Sequence, residues 1–143
     1  MPEPDVVEFI GRHNQVFLLT HRDDGWPTGY PMVGNSRDGG VEFSTYRASA
    51  KVARVVREGH ASCLVVPRDG SGDDRCLWIA GAAGIRDDTE ASAARTSEPG
   101  AAGLAVPADI AAKAALRMHE GKRCLMRVEI RATRWIGWKP PTR

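Results

Sequence analysis

The sequence predicts an α+β domain built round a small antiparallel β-barrel. Three observations predict it. Short runs with alternating apolar and polar residues are separated by Asp/Gly turns, which join neighbouring strands as hairpins. One helical segment is inserted between strands and another comes late. Tight turns, and the lack of any G-x-G-x-x-G or Walker loop, exclude a parallel dinucleotide-binding sheet. About six strands are expected, in a single domain covering residues 1–143. A chain of that length buries a core without covalent staples.

Taken in order, Pro4-Asp5 opens a short helix whose buried side is Val6, Val7, Phe9 and Ile10. Asn14-Gln15 ends it, and Val16 to Thr20 follows as a strand. Arg22-Asp23-Asp24-Gly25 is a hairpin turn. A second strand covers Thr28 to Gly34, with Pro31 marking an edge or a bulge. Ser36 to Gly40 is a further turn. Val41, Phe43 and Thr45 then alternate with Glu42 and Ser44 as a strand. Ser49 is an N-cap for a helix carrying Val52, Val55 and Val56 at helical spacing, and Gly59 stops it. His60 to Val66 is apolar enough for a barrel wall.

Asp69 to Asp74 reads as a loop. It is not a calcium loop, because the twelve-residue spacing from Asp69 ends on Ala80 instead of a bidentate Glu. Arg75 to Ile85 is another strand, and its small centre, Gly81-Ala82-Ala83-Gly84, permits a bulge or a close ligand. Thr89 to Arg95 is expected as a short helix, and Ser97 to Pro107 as a loop. Asp109 begins another helix, with Ile110, Ala114 and Met118 on one face. Arg123 to Trp138 is expected as one long strand, with Pro140-Pro141 as an extended tail.

The chemistry concentrates at the start of the middle helix. Lys51 lies two residues past the Ser49 cap, where free N–H groups and the macrodipole already make the helix end positive. The hydroxyls of Ser44, Thr45 and Ser49, together with Arg47, Lys51 and Arg54, suggest a bound anion, most simply a phosphate. A solvated basic helix is the alternative.

Other chemistries find less support. A net charge of +2 is too weak to argue nucleic acid, and few aromatics lie between the basic residues. Cys63, Cys76 and Cys124 lack C-x-x-C spacing and read as core residues of a reducing compartment. His13, His21, His60 and His119 sit in four different elements without metal-ligand spacing, and each reads as a surface or strand-end residue. Trp135 and Trp138 are three apart, so on one strand they face opposite sides. No apolar run reaches membrane-spanning length, and the start lacks the pattern of a secretory signal, so a cytoplasmic protein is expected.

An ordered set of features carries a family resemblance. It runs from the turn Gly25-Trp26-Pro27 through Tyr30-Pro31-Met32-Val33 and Asp38-Gly39-Gly40 to the strand Val41–Thr45. Ser49-Ala50-Lys51 then opens the helix, and Trp78-Ile79-Ala80-Gly81 comes later. This resembles the split-barrel flavin proteins related to pyridoxamine phosphate oxidase, particularly the branch using FMN or the deazaflavin coenzyme F-420. The resemblance covers Phe9 to Asp87 and, more loosely, Arg123 to Trp138.

It implies a split β-barrel with flanking helices, a homodimer with cofactor at its interface, and hydride transfer to or from an unsaturated small molecule. It also implies that Ser49, Ala50 and Lys51 hold the cofactor phosphate, with Arg54 as a further partner. Ser44 and Thr45 would lie along the ribityl chain, Met32 and Val33 at the ring edge, and Trp78 would come from the second subunit. The cofactor carries the hydride, so no catalytic side chain is expected. The family's oxidases also carry a C-terminal Arg-x-His substrate motif. Here Arg134-Trp135-Ile136-Gly137-Trp138 has no His, which argues against pyridoxamine phosphate as substrate.

Overall fold

The computed structural model describes residues 2–86 and 122–137. The expected elements between Thr89 and Gly121, His119, Trp138 and the Pro140-Pro141 tail lie outside the described residues. Helix α1 (Pro4–Arg12) starts on a proline, with Asp5 in its first turn. Val6, Phe9 and Ile10 are buried at helical spacing, but Val7 is exposed, because one residue along a helix turns the side chain about 100° off the buried stripe.

Strand β1 (Gln15–His21) turns Val16, Leu18 and Thr20 inward and pairs with β2 (Pro27–Val33) through the expected hairpin. The Arg22 N–H donates to the Trp26 carbonyl at 2.8 Å to close it. Strands β3 (Asn35–Arg37) and β4 (Gly40–Tyr46) form the next hairpin. Helix α2 (Ala50–Glu58) follows, capped by Ser49 and ended by Gly59 in a left-handed conformation. Val52 and Val55 are buried, whereas Val56 faces solvent. Strands β5 (His60–Val65), β6 (Arg75–Arg86), β7 (Arg123–Glu129) and β8 (Ala132–Gly137) complete the described elements.

All pairings are antiparallel, in the order β2-β1-β5-β6-β7-β4-β3, with β8 on the free side of β6. Two stretches of chain, β6 and the β2–β3 segment, take part in both halves of this curled sheet. Residues 75–82 of β6 pair with β5 or β8, and residues 83–86 pair with β7. The β2–β3 segment pairs first with β1 and then with β4, passing from one to the other at Gly34. That link joins the two ends of the strand order, and the described sheet has eight strands where about six are expected. Among the described residues β2 pairs with β1 alone, which gives Pro31 the edge position its missing N–H requires.

Both crossings depend on glycine for space. A Cβ on Gly34 would lie 2.8 Å from the Phe43 ring and 2.9 Å from Val41. One on Gly81 would meet the Glu129 carbonyl oxygen at 1.8 Å, a backbone atom that cannot step aside. The small centre of β6 is therefore explained at Gly81 by close backbone approach. The core inside the wall includes Phe9, Leu18, Phe43, Leu77, Ile79 and Met126, all fully buried.

Two strand boundaries differ from expectation. Asn35–Arg37 is a strand, so the turn shrinks to Asp38-Gly39, both at positive φ. The single long strand from Arg123 is two, β7 and β8. At the break, Ile130 N–H donates to Gly39 O at 2.9 Å and Arg131 N–H to Ala80 O at 3.1 Å. The inward parity shifts there, from Cys124, Met126 and Val128 to Trp135, which pairs with Leu77. Trp135 packs on the core, its ring 5.0 Å from Phe9 in a T-shaped contact.

Substituting Gly81 with Ala should destabilise the protein by about 3 kcal/mol, the upper part of the usual overpacking range. Urea denaturation measures it, and a change below about 1 kcal/mol would show that the β6 crossing does not need this close approach.

Candidate functional site

The start of α2 is built as the sequence suggests. Ser49 is extended (φ −74°, ψ 152°), and its Oγ accepts the Val52 N–H at 3.4 Å. No acidic residue occupies the first turn. Lys51 and Arg54 are three apart, so they share a helix face, and both reach Tyr30 on β2. Lys51 Nζ lies 5.6 Å from the centre of the Tyr30 ring, on its face. Arg54 Nη1 donates to the Tyr30 hydroxyl. Among the described residues, no carboxylate forms an ion pair with either cation.

Two cations held on one phenol beside a helix N-terminus, in no ion pair with a described carboxylate, fit the phosphate of a flavin-type cofactor. Tyr30 is the residue that the sequence reading left out of the site. Its parity gives the signal: it pairs with Leu18, and like Met32 it turns inward toward the helix that covers the barrel.

The other expected residues are placed less uniformly. Met32 packs inward on the core, and Val33 points outward and is exposed. Ala50 is exposed at the helix start. Ser44 Oγ accepts from Arg123 Nε at 2.9 Å, and its carbonyl accepts from Nη2 at 2.9 Å. Thr45 is 2% exposed and lies among the buried residues of β4. Trp78 lies on the outer face of β6, paired with Leu64 and Arg134, opposite to the buried Leu77 and Ile79. One chain thus brings Lys51 and Arg54 together on Tyr30, and leaves Trp78 on the outer face of β6.

A second polar cluster involves His13. The expectation of a surface or strand-end residue is corrected here: His13 is 2% exposed. Its Nδ1 accepts the Arg68 N–H at 3.1 Å, which places the proton on Nε2, 2.5 Å from Asp73 Oδ2. Arg12 stands 3.3 Å from the same oxygen. The hydrogen bond from His13 chiefly holds the Asp73 carboxyl below the ordinary carboxylate range, with Arg12 and Arg75 adding to it against the opposing effect of burial. This cluster ties α1 to the loop before β6, and its buried imidazole is a packing group.

The cysteines are all buried and none is in a disulfide, and burial pushes the Cys63 thiol up to about 12. Among the described residues no group of three or more His, Cys, Asp and Glu gathers to hold a metal. No described helix is long and apolar enough to cross a membrane.

Comparison with known proteins rests on structure, since no family model and no curated protein matches the sequence. A conserved hypothetical protein, Rv2991 of Mycobacterium tuberculosis, superposes with a TM-score of 0.73 at 22% identity, over 96% of this chain and 85% of that one. An F420 reductase matches with a TM-score of 0.64 at 21% identity, over 94% and 98% of the two chains. The heme storage protein HutZ of Vibrio cholerae matches with a TM-score of 0.68 at 13% identity, over 94% and 93%. Pyridoxamine 5'-phosphate oxidase-like proteins share the same architecture. The fold is a split barrel. At these identities the split barrel itself is what the neighbours have in common with this chain.

The Asp73 carboxyl has a lowered folded value, so its contribution to stability is complete above the unfolded value near 3.8 and is lost as pH falls through the lower folded one. Asp73→Ala leaves a buried imidazole N–H without its acceptor and should cost about 1–3 kcal/mol at neutral pH. Thermal unfolding of both proteins from neutral pH to below 3.8 should show the gap between them narrowing only in the acid range. A gap independent of pH would remove the ionised pair from the explanation.

Proposed function

We propose that this chain binds FMN or the deazaflavin coenzyme F-420 at the start of α2 and works as an oxidoreductase on an unsaturated small molecule. The observation that carries this reading is the convergence of Lys51 and Arg54 on Tyr30 beside the Ser49-capped helix end. The likeness of the fold to an F420 reductase supports it. When bound, the cofactor supplies the hydride. The helix N–H groups, Lys51 and Arg54 hold its phosphate, and Tyr30 keeps the two cations in place. The backbone of Ser44 and Thr45 on β4, and Met32 and Val33 on the edge strand β2, extend the site beyond the phosphate.

The unit is proposed to be a homodimer, with the cofactor site completed at the interface. The outer face of β1, β5 and β6 carries Phe17, Leu64 and Trp78, with exposed Val33 and Ile136 beside them. Apolar side chains grouped on one open face favour burial against another protein surface. A second copy would bring its own Trp78 to that interface.

A non-catalytic cofactor carrier is the second reading. It is favoured by the heme storage protein among the structural matches. The absorbance spectrum of the purified protein identifies a flavin, deazaflavin or porphyrin. Turnover of an unsaturated substrate after reduction then separates enzyme from carrier.

Lys51→Ala should weaken FMN or coenzyme F-420 binding roughly ten- to a hundredfold, since a hydrogen bond to a charged group contributes about 1.5–3 kcal/mol. Riboflavin, which lacks the phosphate, should be nearly indifferent, and apo-protein stability should hardly change because Lys51 opposes the helix dipole. Unchanged affinity for both phosphorylated cofactors would make Lys51 a surface charge only. Sedimentation of the cofactor-bound protein should show a dimer burying on the order of 2,000 Å², and a stable cofactor-bound monomer at micromolar concentration would overturn that part.

A further inference from the structure

At the far end of α2 from Ser49, a cleft of about 450 Å³ opens between the last turns of the helix, the end of β1, the start of β5 and the middle of β6. Its apolar walls include Leu19, Val55, Ala61 and Ala82. Close approach of the Glu129 carbonyl explains the glycine at 81. The alanines at 80 and 82 leave space, since larger side chains there would fill the cleft.

The polar groups at this cleft favour an anion. Arg54 and Arg131 line it, and Glu58 is its sole carboxylate among the described residues. Glu58 is partly countered by Arg57 at 3.6 Å, which also holds Asp23 at 2.8 Å. Arg131 pairs with Glu129 at 2.9 Å, but the two side chains are 67% and 47% exposed. Exposed pairs contribute about 0–1 kcal/mol, so a ligand carboxylate can take the place of Glu129. Arg54 spends Nη1 on Tyr30 and keeps its remaining donors. The helix C-terminus adds roughly half a negative charge, which the whole charge of Arg54, in no ion pair with a described carboxylate, outweighs.

We propose that this cleft binds a small organic anion, a carboxylate on an apolar body. Arg54 and Arg131 receive the carboxylate, and Leu19, Val55 and the alanines receive the body. The site is separate from the proposed cofactor phosphate and touches it only through Arg54, whose guanidinium also holds Tyr30.

Naphthoate and its neutral counterpart naphthamide test the proposal by calorimetric titration of the full chain. Naphthoate should bind one site per chain, at least roughly tenfold more tightly than naphthamide, a difference of one hydrogen-bonded charge. Arg131→Gln, at an exposed position that folding does not need, should reduce naphthoate affinity several-fold and leave naphthamide unchanged. Ala82→Leu should abolish binding of both, with circular dichroism confirming the fold. Lys51→Ala should leave naphthoate affinity as it was, whatever it does to cofactor. Equal affinity for the two probes, no saturable binding, or indifference to Arg131→Gln would overturn the proposal. So would a loss in Lys51→Ala as large as that in Arg131→Gln, because it would put the anion at the start of α2.

Discussion

The contact between Gly81 and the Glu129 carbonyl is the constraint on which the rest of the barrel depends. β6 has to leave β5 and β8 and join β7 within a few residues. It does so where the β7–β8 corner presses a carbonyl onto its backbone, leaving no room for a side chain. The corner is fastened on both sides, by Ile130 to Gly39 and by Arg131 to Ala80. Those two hydrogen bonds hold the halves of the barrel in one register. The Gly34 crossing does the same on the opposite side, where Phe43 and Val41 stand in the space of a Cβ. With both crossings set, β2 comes to lie beside α2, and Tyr30 meets Lys51 and Arg54.

Much of this was legible in the residues. Alternation located β4, and short apolar runs bounded by turn residues located β1 and β5, since each has a face in the core. Ser49 and Gly59 marked both ends of α2 because cap chemistry is local. The break between β7 and β8 escaped notice because it is made by amides reaching Gly39 and Ala80, partners about 90 and 50 residues distant in the chain. Its trace was a change of inward parity that a continuous alternating pattern conceals. His13 was misjudged for the same reason. Its partners, Arg68 and Asp73, lie 55 and 60 residues away, beyond the reach of any spacing rule.

The candidate site divides along the same line. Ser49 and Lys51 could be found from the helix dipole, because a cation in the first turn conflicts with local electrostatics and asks for a counter-charge. Tyr30 required the sheet register and the docking of α2 to be known. Thr45 shows the limit of reading hydroxyls as ligands. Its parity, shared with Val41 and Phe43, already assigned it to the core, whereas Ser44 faces the other way and engages Arg123.

The His13–Asp73 link also has a kinetic side. α1 precedes the other described elements, yet its end is fastened to a loop that the chain reaches 60 residues later. Closing so long a loop costs entropy that local helix contacts cannot offset, and nine residues form too short a helix to persist alone. Docking of α1 therefore waits for β5 and β6 to pair. In the finished protein, release of α1 would break the same link and bring Phe9 and the Trp135 edge packed on it into water.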